Sequence, residues 1–540
     1  MEKQRLTIFI ILAAVILFGS QFIYQKLYPT PKPGTEAASP SPTASASAVT
    51  PAPVSSPAPA PIAPSPELAQ VPQKDLSIET PMWKAIVSNR GAVMTEMVLT
   101  HLPDDNLNVG KQIDPPGGVL LVSAAKSKEL GAPLRLVVPA DRNLEKQLNE
   151  ANYAIDTTDS QVTLANGAQK TIKMSYDGAG VHASKIFVFS GSGYDFDCTV
   201  EVTRNGQPVE AYLAVGPSFG DQNVTSHGGW YSQESLATIS SSGGIERHAG
   251  KSIDSADPKV LPVNQVRWAS VDDNYFAMAV LPAAPAPSVA VFNAKRKEMV
   301  GKKEQEVNHV SAAIRITNGQ INHVYAGPKN IKMLRAYSEK LGLTDDSVNL
   351  ERVVNYAWAW ITPLVKPIAW YVLKILQFLY GWTKNYGWAI IVLTFALNMC
   401  FLPLRWKSSV SMKKAAALQP KMKDLQDRMK KLDKNDPRMV ELQKEQVALM
   451  REGNPLMGCL PLLLQMPFFY AVYAVLTTAV EIRHTGFLGW IKDLAAPDPF
   501  YVLPVIFVIS MIVQQALTPS TADPVQKRVQ YIMPLFMGYI

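Results

Sequence analysis

The 540 residues predict a chain of mixed class: an N-terminal transmembrane anchor, a large antiparallel β-sandwich domain outside the cytoplasm, and an α-helical multi-span membrane core with a cytoplasmic helical hairpin. Three observations predict it. Of the 41 prolines, 13 fall between Pro29 and Pro72, so one short stretch is unlike the rest. Short alternating runs fill the chain from Asp75 to about Ala326 and then yield to a helical period. Basic charge sits beside apolar runs, so the net +7 is read through its placement and not as a sign of nucleic acid binding. A mean hydropathy of +0.02 is therefore an average of opposites, and a single soluble globular domain is excluded.

Met1 to Arg5 is short and basic, and Leu6 to Tyr24 is apolar apart from Thr7, Ser20 and Gln21. At 1.5 Å per residue that run crosses most of a bilayer. A signal peptide and an uncleaved anchor both have such a run. This one is longer than most signal peptides carry, no small-x-small site follows it, and no lipobox cysteine is present, so residues 1–28 read as an anchor. Lys3 and Arg5 then hold its N-terminus in the cytoplasm. Residues 29–74 are almost entirely Pro, Ala, Ser and Thr, which bury too little apolar surface to offset their ordering entropy, and read as a tether.

Residues 75–328 read as the exported β domain. Alternating runs recur at Trp83 to Ser88, Val119 to Val122, Thr171 to Tyr176, Lys185 to Ser190, Tyr194 to Val202, Val209 to Val215, Val263 to Ala269, Tyr275 to Leu281, Ser288 to Asn293 and Val307 to Ile316. With no helical period between them, they predict a large antiparallel sandwich. Gly216 to Gly220 matches the G-x-S-x-G nucleophile elbow, but polar, glycine-rich sequence follows where a helix is needed, which argues against a catalytic Ser218. His227, His248, His309 and His323 read as surface or strand residues. The seven histidines have no metal-ligand spacing, the three cysteines form no disulfide framework, and no phosphate-binding glycine loop is present.

Residues 329–384 read as a linker helix followed by an interfacial amphipathic helix. Val353 to Trp382 carries Trp358, Trp360, Trp370, Tyr371, Tyr380 and Trp382 with Lys366 and Lys374 between them, as the headgroup layer favours, and is expected to break near Pro363 and Pro367. A plain transmembrane span is the other reading. Residues 385–540 hold apolar spans at about 388–404, 455–480, 500–517 and 529–540. Neutral polar residues interrupt them: Thr394 and Asn398, then Gln465, then Ser510, Gln514 and Gln515. The last stretch supplies only 12 of the roughly 20 residues a span needs, so the rest of that span is expected beyond 540.

Between the first two spans, residues 405–452 carry 13 Lys or Arg against 7 Asp or Glu, which places this loop in the cytoplasm. Leu418, Met422, Leu425, Met429 and Leu432 line one helical seam, and Met439, Leu442 and Leu449 line a second. Asn435, Asp436 and Pro437 supply the turn of a hairpin. Lys413, Lys414, Lys421, Lys423, Arg428, Lys430 and Lys431 fit two readings: a solvated pair of helices, or a docking surface for ribosomal RNA or emerging chains.

The run from Asn454 to Tyr473, NPLMGCLPLLLQMPFFYAVY, resembles the YidC family of membrane-protein insertases. So do LQPK at Leu418 to Lys421, DPFYVLP at Asp498 to Pro504, and Leu517 to Pro524 followed by Met533-Pro534. The resemblance covers the chain from about Gly327 onward, and more loosely the order of anchor, large periplasmic β domain and core found in Gram-negative members. It implies a five-helix core in the bacterial inner membrane, with a hydrophilic groove open to cytoplasm and lipid, and no enzymatic step, metal or cofactor. Partners would be nascent membrane proteins, the Sec translocon, the ribosome and the bilayer, with no DNA.

On that resemblance Thr394 matches the family's substrate-facing threonine, and Gln465, Ser510 and Gln514 join it in the groove. Met466, Pro467 and Phe469 match positions that contact an incoming helix. Asn398 stands where the family has a groove arginine; asparagine hydrates a passing chain but exerts no charge attraction on an acidic tail. The alternative function is a transporter or a component that translocates lipid or solute. Such proteins usually show internal repeats and ionisable residues near the midplane, whereas here the intramembrane polar residues are neutral. A membrane-anchored enzyme is disfavoured by the context of Ser218.

Overall fold

The computed structural model describes residues 71–100, 118–222, 235–253, 255–300, 303–345, 348–356, 361–430, 438–453, 456–483, 485–517 and 524–539. The expected anchor, nearly all of the tether, the hairpin turn with Lys431, and His227 lie outside the described residues. Contacts with the β domain reach back to Val71 and Pro72, whose carbonyls accept from Asn152 and Asn89.

The β domain is built of three sheets, where the alternation alone suggested a simple pair. A ten-stranded sheet runs from Gly244–Ala249 through Leu236–Ser241, Trp268–Asp272, Phe276–Pro282, Ile321–Pro328, Asp195–Arg204, Val181–Ser190 and Gln169–Gly178 to Ala154–Ile155, with Gln207–Pro208 beside Asp195–Arg204. One five-stranded sheet, centred on Val289–Val300 and Lys303–Arg315, packs over its first half. The other, built on Asp75–Glu79, Trp83–Ser88 and Val93–Leu99, packs over its second half, where Trp83 meets Phe189 and Phe196. Pairing is antiparallel except between Asp75–Glu79 and Gln161–Thr163, which run parallel.

Alternation sets the inward face: Phe196, Cys198, Val200 and Val202 point into the core along Asp195–Arg204. Two tight turns join paired strands through paired positive φ values, Ala179-Gly180 and Asn205-Gly206, the conformation that suits the twist of a hairpin. Lys185 is fully buried and donates to the carbonyls of Gly91, Ala92 and Leu134 at 2.8, 3.0 and 2.7 Å, clipping the ten-stranded sheet to its neighbour.

Two helices interrupt the strands, contrary to the expectation of none: α1, Ala124–Leu130, and α2, Arg142–Glu150. The second is capped by Asp141, whose side chain accepts from the Leu144 amide, and buries only Leu144 and Leu148, one turn apart. The expected strand at Val263 to Ala269 forms instead at Trp268–Asp272, where every residue is buried and no alternation marks the edges.

After the last strand, Asn330 caps α3, Ile331–Lys340. α4, Thr362–Thr383, is continuous, which corrects the expected break. Pro363 sits in its first turn, where no amide partner is lost, and Pro367 removes a single amide near that end. Lys366, read as an interfacial lysine, lies 2.7 Å from the buried carboxylate of Glu351, which Arg335 also holds at 2.7 Å. α5, Tyr386–Lys430, is one unbroken helix of 45 residues, about 68 Å long, joining the first apolar span to the first hairpin arm.

Four more helices follow: α6, Arg438–Gly453; α7, Leu456–Thr478; α8, Val502–Leu517; and α9, Pro524–Tyr539, which begins five residues before the span expected at Val529. Among the described residues, one stretch, Tyr386–Ser411, is long and apolar enough to cross a membrane, and Leu464–Thr478 and Val502–Leu517 are shorter apolar helices.

Candidate functional site

α4, α5 and α7 pack against one another. Small side chains on α7, Ala471 and Ala474, are buried at this contact and let the helices approach closely. Phe401 of α5 meets Phe468 of α7 edge to face at 5.1 Å. The side of α5 away from the contact carries Trp388, Ile391, Phe395, Met399, Leu402 and Trp406, spaced three or four apart and all exposed. An apolar ridge of this kind is costly in water and favourable in hydrocarbon.

Thr394 and Asn398 lie beside that ridge, one turn apart. The Thr394 hydroxyl donates to the Ile390 carbonyl and the Asn398 amide donates to the Thr394 carbonyl, each at 2.8 Å. These bonds satisfy donors within the helix, so both side chains offer polar oxygen atoms to whatever passes, without net charge. On α7, Met466, Phe469 and Tyr473 form a half-exposed ridge at helical spacing, with Pro467 partly exposed at its edge. Gln465 is 5% exposed, so its side chain is packed inside the protein and not on the surface. Ser510 and Gln514 stand exposed on α8, which packs on α9 and buries none of its residues fully. The Ser510 hydroxyl donates to the Phe507 carbonyl at 2.7 Å.

The hairpin arms, the C-terminal part of α5 and α6, pack together. Exposure falls at Leu418, Met422, Leu425 and Met429 and at Met439, Leu442 and Leu449, as their spacing requires. Lys413, Lys421 and Arg428 are exposed, and Arg428 pairs with Asp424 at 2.6 Å. Lys414, Lys423 and Lys430 lie on the same arm.

Ser218 is 1% exposed with its hydroxyl 3.3 Å from that of Ser127, and among the described residues 219–222 no helix begins, so no nucleophile is presented. His309 is a buried strand residue whose ring lies 2.9 Å from Glu298. Sequence reasoning missed Glu481 and Arg483. They read as the start of a polar external loop, yet both are buried. Their only sequence signal is charge directly after an apolar helix.

Residues 75–371 match the family model described as the YidC periplasmic domain, and residues 378–540 match the one described as 60Kd inner membrane protein. Proteins named membrane protein insertase YidC are similar along the chain. That of Geobacter metallireducens is 29% identical, covering 100% of this chain and 93% of its own length. That of Geobacter sulfurreducens is 31% identical over 70% of this chain and 67% of its own length. One from another Geobacter is 30% identical over 86% and 80%. By sequence along both its β-rich and its helical part, the chain belongs to the YidC family of membrane protein insertases.

Proposed function

We propose that this protein inserts, folds and assembles membrane proteins of the bacterial inner membrane through a hydrophilic groove, without nucleotide hydrolysis, both with the Sec translocon and independently of it. One observation carries the reading: uncharged polar groups, the exposed Thr394 and the half-buried Asn398, lie along a helix long enough to span a bilayer, and that helix packs against α7 with its apolar ridge of Met466, Phe469 and Tyr473.

The physics favours such a surface. A polar tail entering hydrocarbon costs several kcal/mol per unsatisfied backbone group and roughly 3 kcal/mol per charged side chain at the centre. Hydrated side chains at the helix boundary lower that cost. The substrate's own apolar segment, leaving water for lipid along Met466, Pro467 and Phe469, supplies the driving force. Ser510 and Gln514 complete the polar side of the path, with Gln465, buried in this structure, behind it. In this arrangement residues 1–28 anchor the chain with its N-terminus in the cytoplasm, residues 75–328 lie in the periplasm, α4 lies in the outer headgroup layer, and spans at about 388–404, 455–480, 500–517 and from 529 form the core. The basic hairpin then faces the cytoplasm, where Lys413, Lys414, Lys421, Lys423, Arg428, Lys430 and Lys431 suit a ribosome or an emerging chain.

Purified protein in vesicles, given a small single-span or double-span substrate and no nucleotide, is expected to render the substrate protease-resistant across the bilayer. Absence of insertion together with flux of a small solute would replace this reading with that of a transporter.

A further inference from the structure

The chain leaves α7 through Val480 and Ile482, both buried, and the charged residues beside them, Glu481 and Arg483, are buried as well. Loops ordinarily leave charge in water, because desolvating an unpaired ion is costly. Here each charge meets a partner from a distant part of the chain. The Arg483 guanidinium places Nε 2.8 Å and Nη2 2.5 Å from one carboxylate oxygen of Asp221, 262 positions earlier in the β domain, with side chains 1% and 0% exposed. It also lies 5.3 Å from the Phe276 ring centroid.

Asp221 is itself braced: its amide donates to the Asp273 carboxylate at 2.8 Å. That carboxylate also accepts from the amides of Tyr275 and Phe276. Burial, with Asp221 beside it, holds the Asp273 carboxyl above the usual carboxylate range, and the Asp221 carboxylate is the group that faces Arg483. Next to it, Lys329 donates to Asp272 at 2.9 Å and to the Asp273 carbonyl at 2.7 Å. Glu481 accepts from Asn330, the cap of α3, at 3.0 Å and from Gln377 of α4 at 3.2 Å.

We infer that Arg483 is a positioning residue for the insertion surface, with its counter-ion Asp221 supplied by the β domain. α7 is a stiff rod, so holding its outer end fixes the rotation at which Met466, Phe469 and Tyr473 are presented; turning a helix by one residue moves a side chain about 100°. The β domain is thereby part of the insertion device. Removal of either partner takes this ion pair away from the buried charge that remains, and exchange of the two restores the pair.

The effect on insertion rests on the insertase reading above, so the test has two readouts in the full-length chain. Spin labels at Glu201→Cys and Lys492→Cys, both exposed positions, are placed in a Cys400→Ser, Cys459→Ser background in lipid nanodiscs. The expected result is one narrow distance, broadened in Asp221→Ala and in Arg483→Ala and narrow again in the exchange Asp221→Arg with Arg483→Asp. Insertion in vesicles falls about three- to tenfold in the single variants and recovers in the exchange. Lys185→Met, which loosens the β domain away from this corner, keeps the distance narrow and, below its own melting temperature, the insertion rate unchanged.

Unbroadened distances in both single variants, or an exchange variant no better than they are, would overturn the inference. If a single variant fails to fold, recovery of folded protein in the exchange decides for the pair and its failure decides against it. A parent chain that inserts nothing sinks the insertase reading while the distances still decide the pairing.

Discussion

At the scale of single residues, two side chains make opposite use of polarity. Asn398 offers hydrogen-bonding capacity without charge on the exposed side of α5. Replacing it with arginine, which reaches further and carries a fixed positive charge, is expected to speed insertion of a substrate with an acidic tail more than one with a neutral tail. Equal effects on the two substrates in reconstituted vesicles would show that Asn398 does not meet the tail. Lys185, in contrast, is a charge kept from water. Burial pulls its amine down from the ordinary 10.5 to about 7 while three carbonyls accept from it. Between those two values the unfolded chain binds a proton that the folded chain sheds, so stability contributed at this site is lost as pH falls from 10.5 toward 7 and rises in the other direction. Lys185→Met leaves three carbonyls without this donor and is expected to cost about 2–4 kcal/mol. It should also flatten the rise in melting temperature between pH 7 and 9.5. An unaltered slope in that variant would mean that another group titrates.

At the scale of elements, close approach decides which helices are held and which are not. Gly387 opens α5 where an added Cβ would strike the Phe487 ring, itself edge-on to Trp388 at 5.4 Å. Gly381, near the end of α4, has nothing within 4 Å of the same position. Gly387→Ala is therefore expected to destabilise by about 1–3 kcal/mol through overpacking, and Gly381→Ala to stabilise by about 0.5–1 kcal/mol through helix propensity. Thermal unfolding in detergent that ranks the two the other way would refute the packing at the start of α5. The same contrast explains what could be read from residues alone. Trp83–Ser88 was legible to the residue because burial on one face writes an alternating pattern, and Val119–Val122 because it is a short apolar run. The seam of the hairpin was legible because its spacing is helical. α2 was not, since only Leu144 and Leu148 mark its buried face, although Asp141 before it is a helix-start signal. The strand Trp268–Asp272, buried on both faces, shows no period to find its ends by. The burial of Gln465 was hidden as well, because a polar residue in an apolar helix reads the same whether it faces a groove or a neighbouring helix. Arg483 and Asp221 lie too far apart in sequence for any local pattern to pair them.

At the scale of the whole molecule, residues from Leu68 onward form one compact unit, and the charge of the chain is distributed unevenly within it. The hairpin segment 405–452, with 13 Lys or Arg against 7 Asp or Glu, accounts for nearly all of the net +7. An excess of that size beside a helix able to span a bilayer resists translocation, which is the ground for the proposed cytoplasmic hairpin. The turn between α7 and α8, by contrast, buries Glu481 and Arg483 against the β domain and α3, which requires that turn and the β domain to share a side. Since α5 carries the hairpin at one end and meets Phe487 of that turn at the other, the proposed arrangement puts hairpin and β domain on opposite faces of the membrane. Single cysteines at Lys413 and Glu201, in a Cys400→Ser, Cys459→Ser background, test this directly; Cys198 is fully buried and stays silent. A membrane-impermeant maleimide applied to spheroplasts is expected to label Glu201→Cys at once and Lys413→Cys only after the inner membrane is opened. Labelling of both from the outside would remove the topological basis of a cytoplasmic hairpin, and with it the assignment of Lys413, Lys421 and Arg428 to a ribosome or an emerging chain.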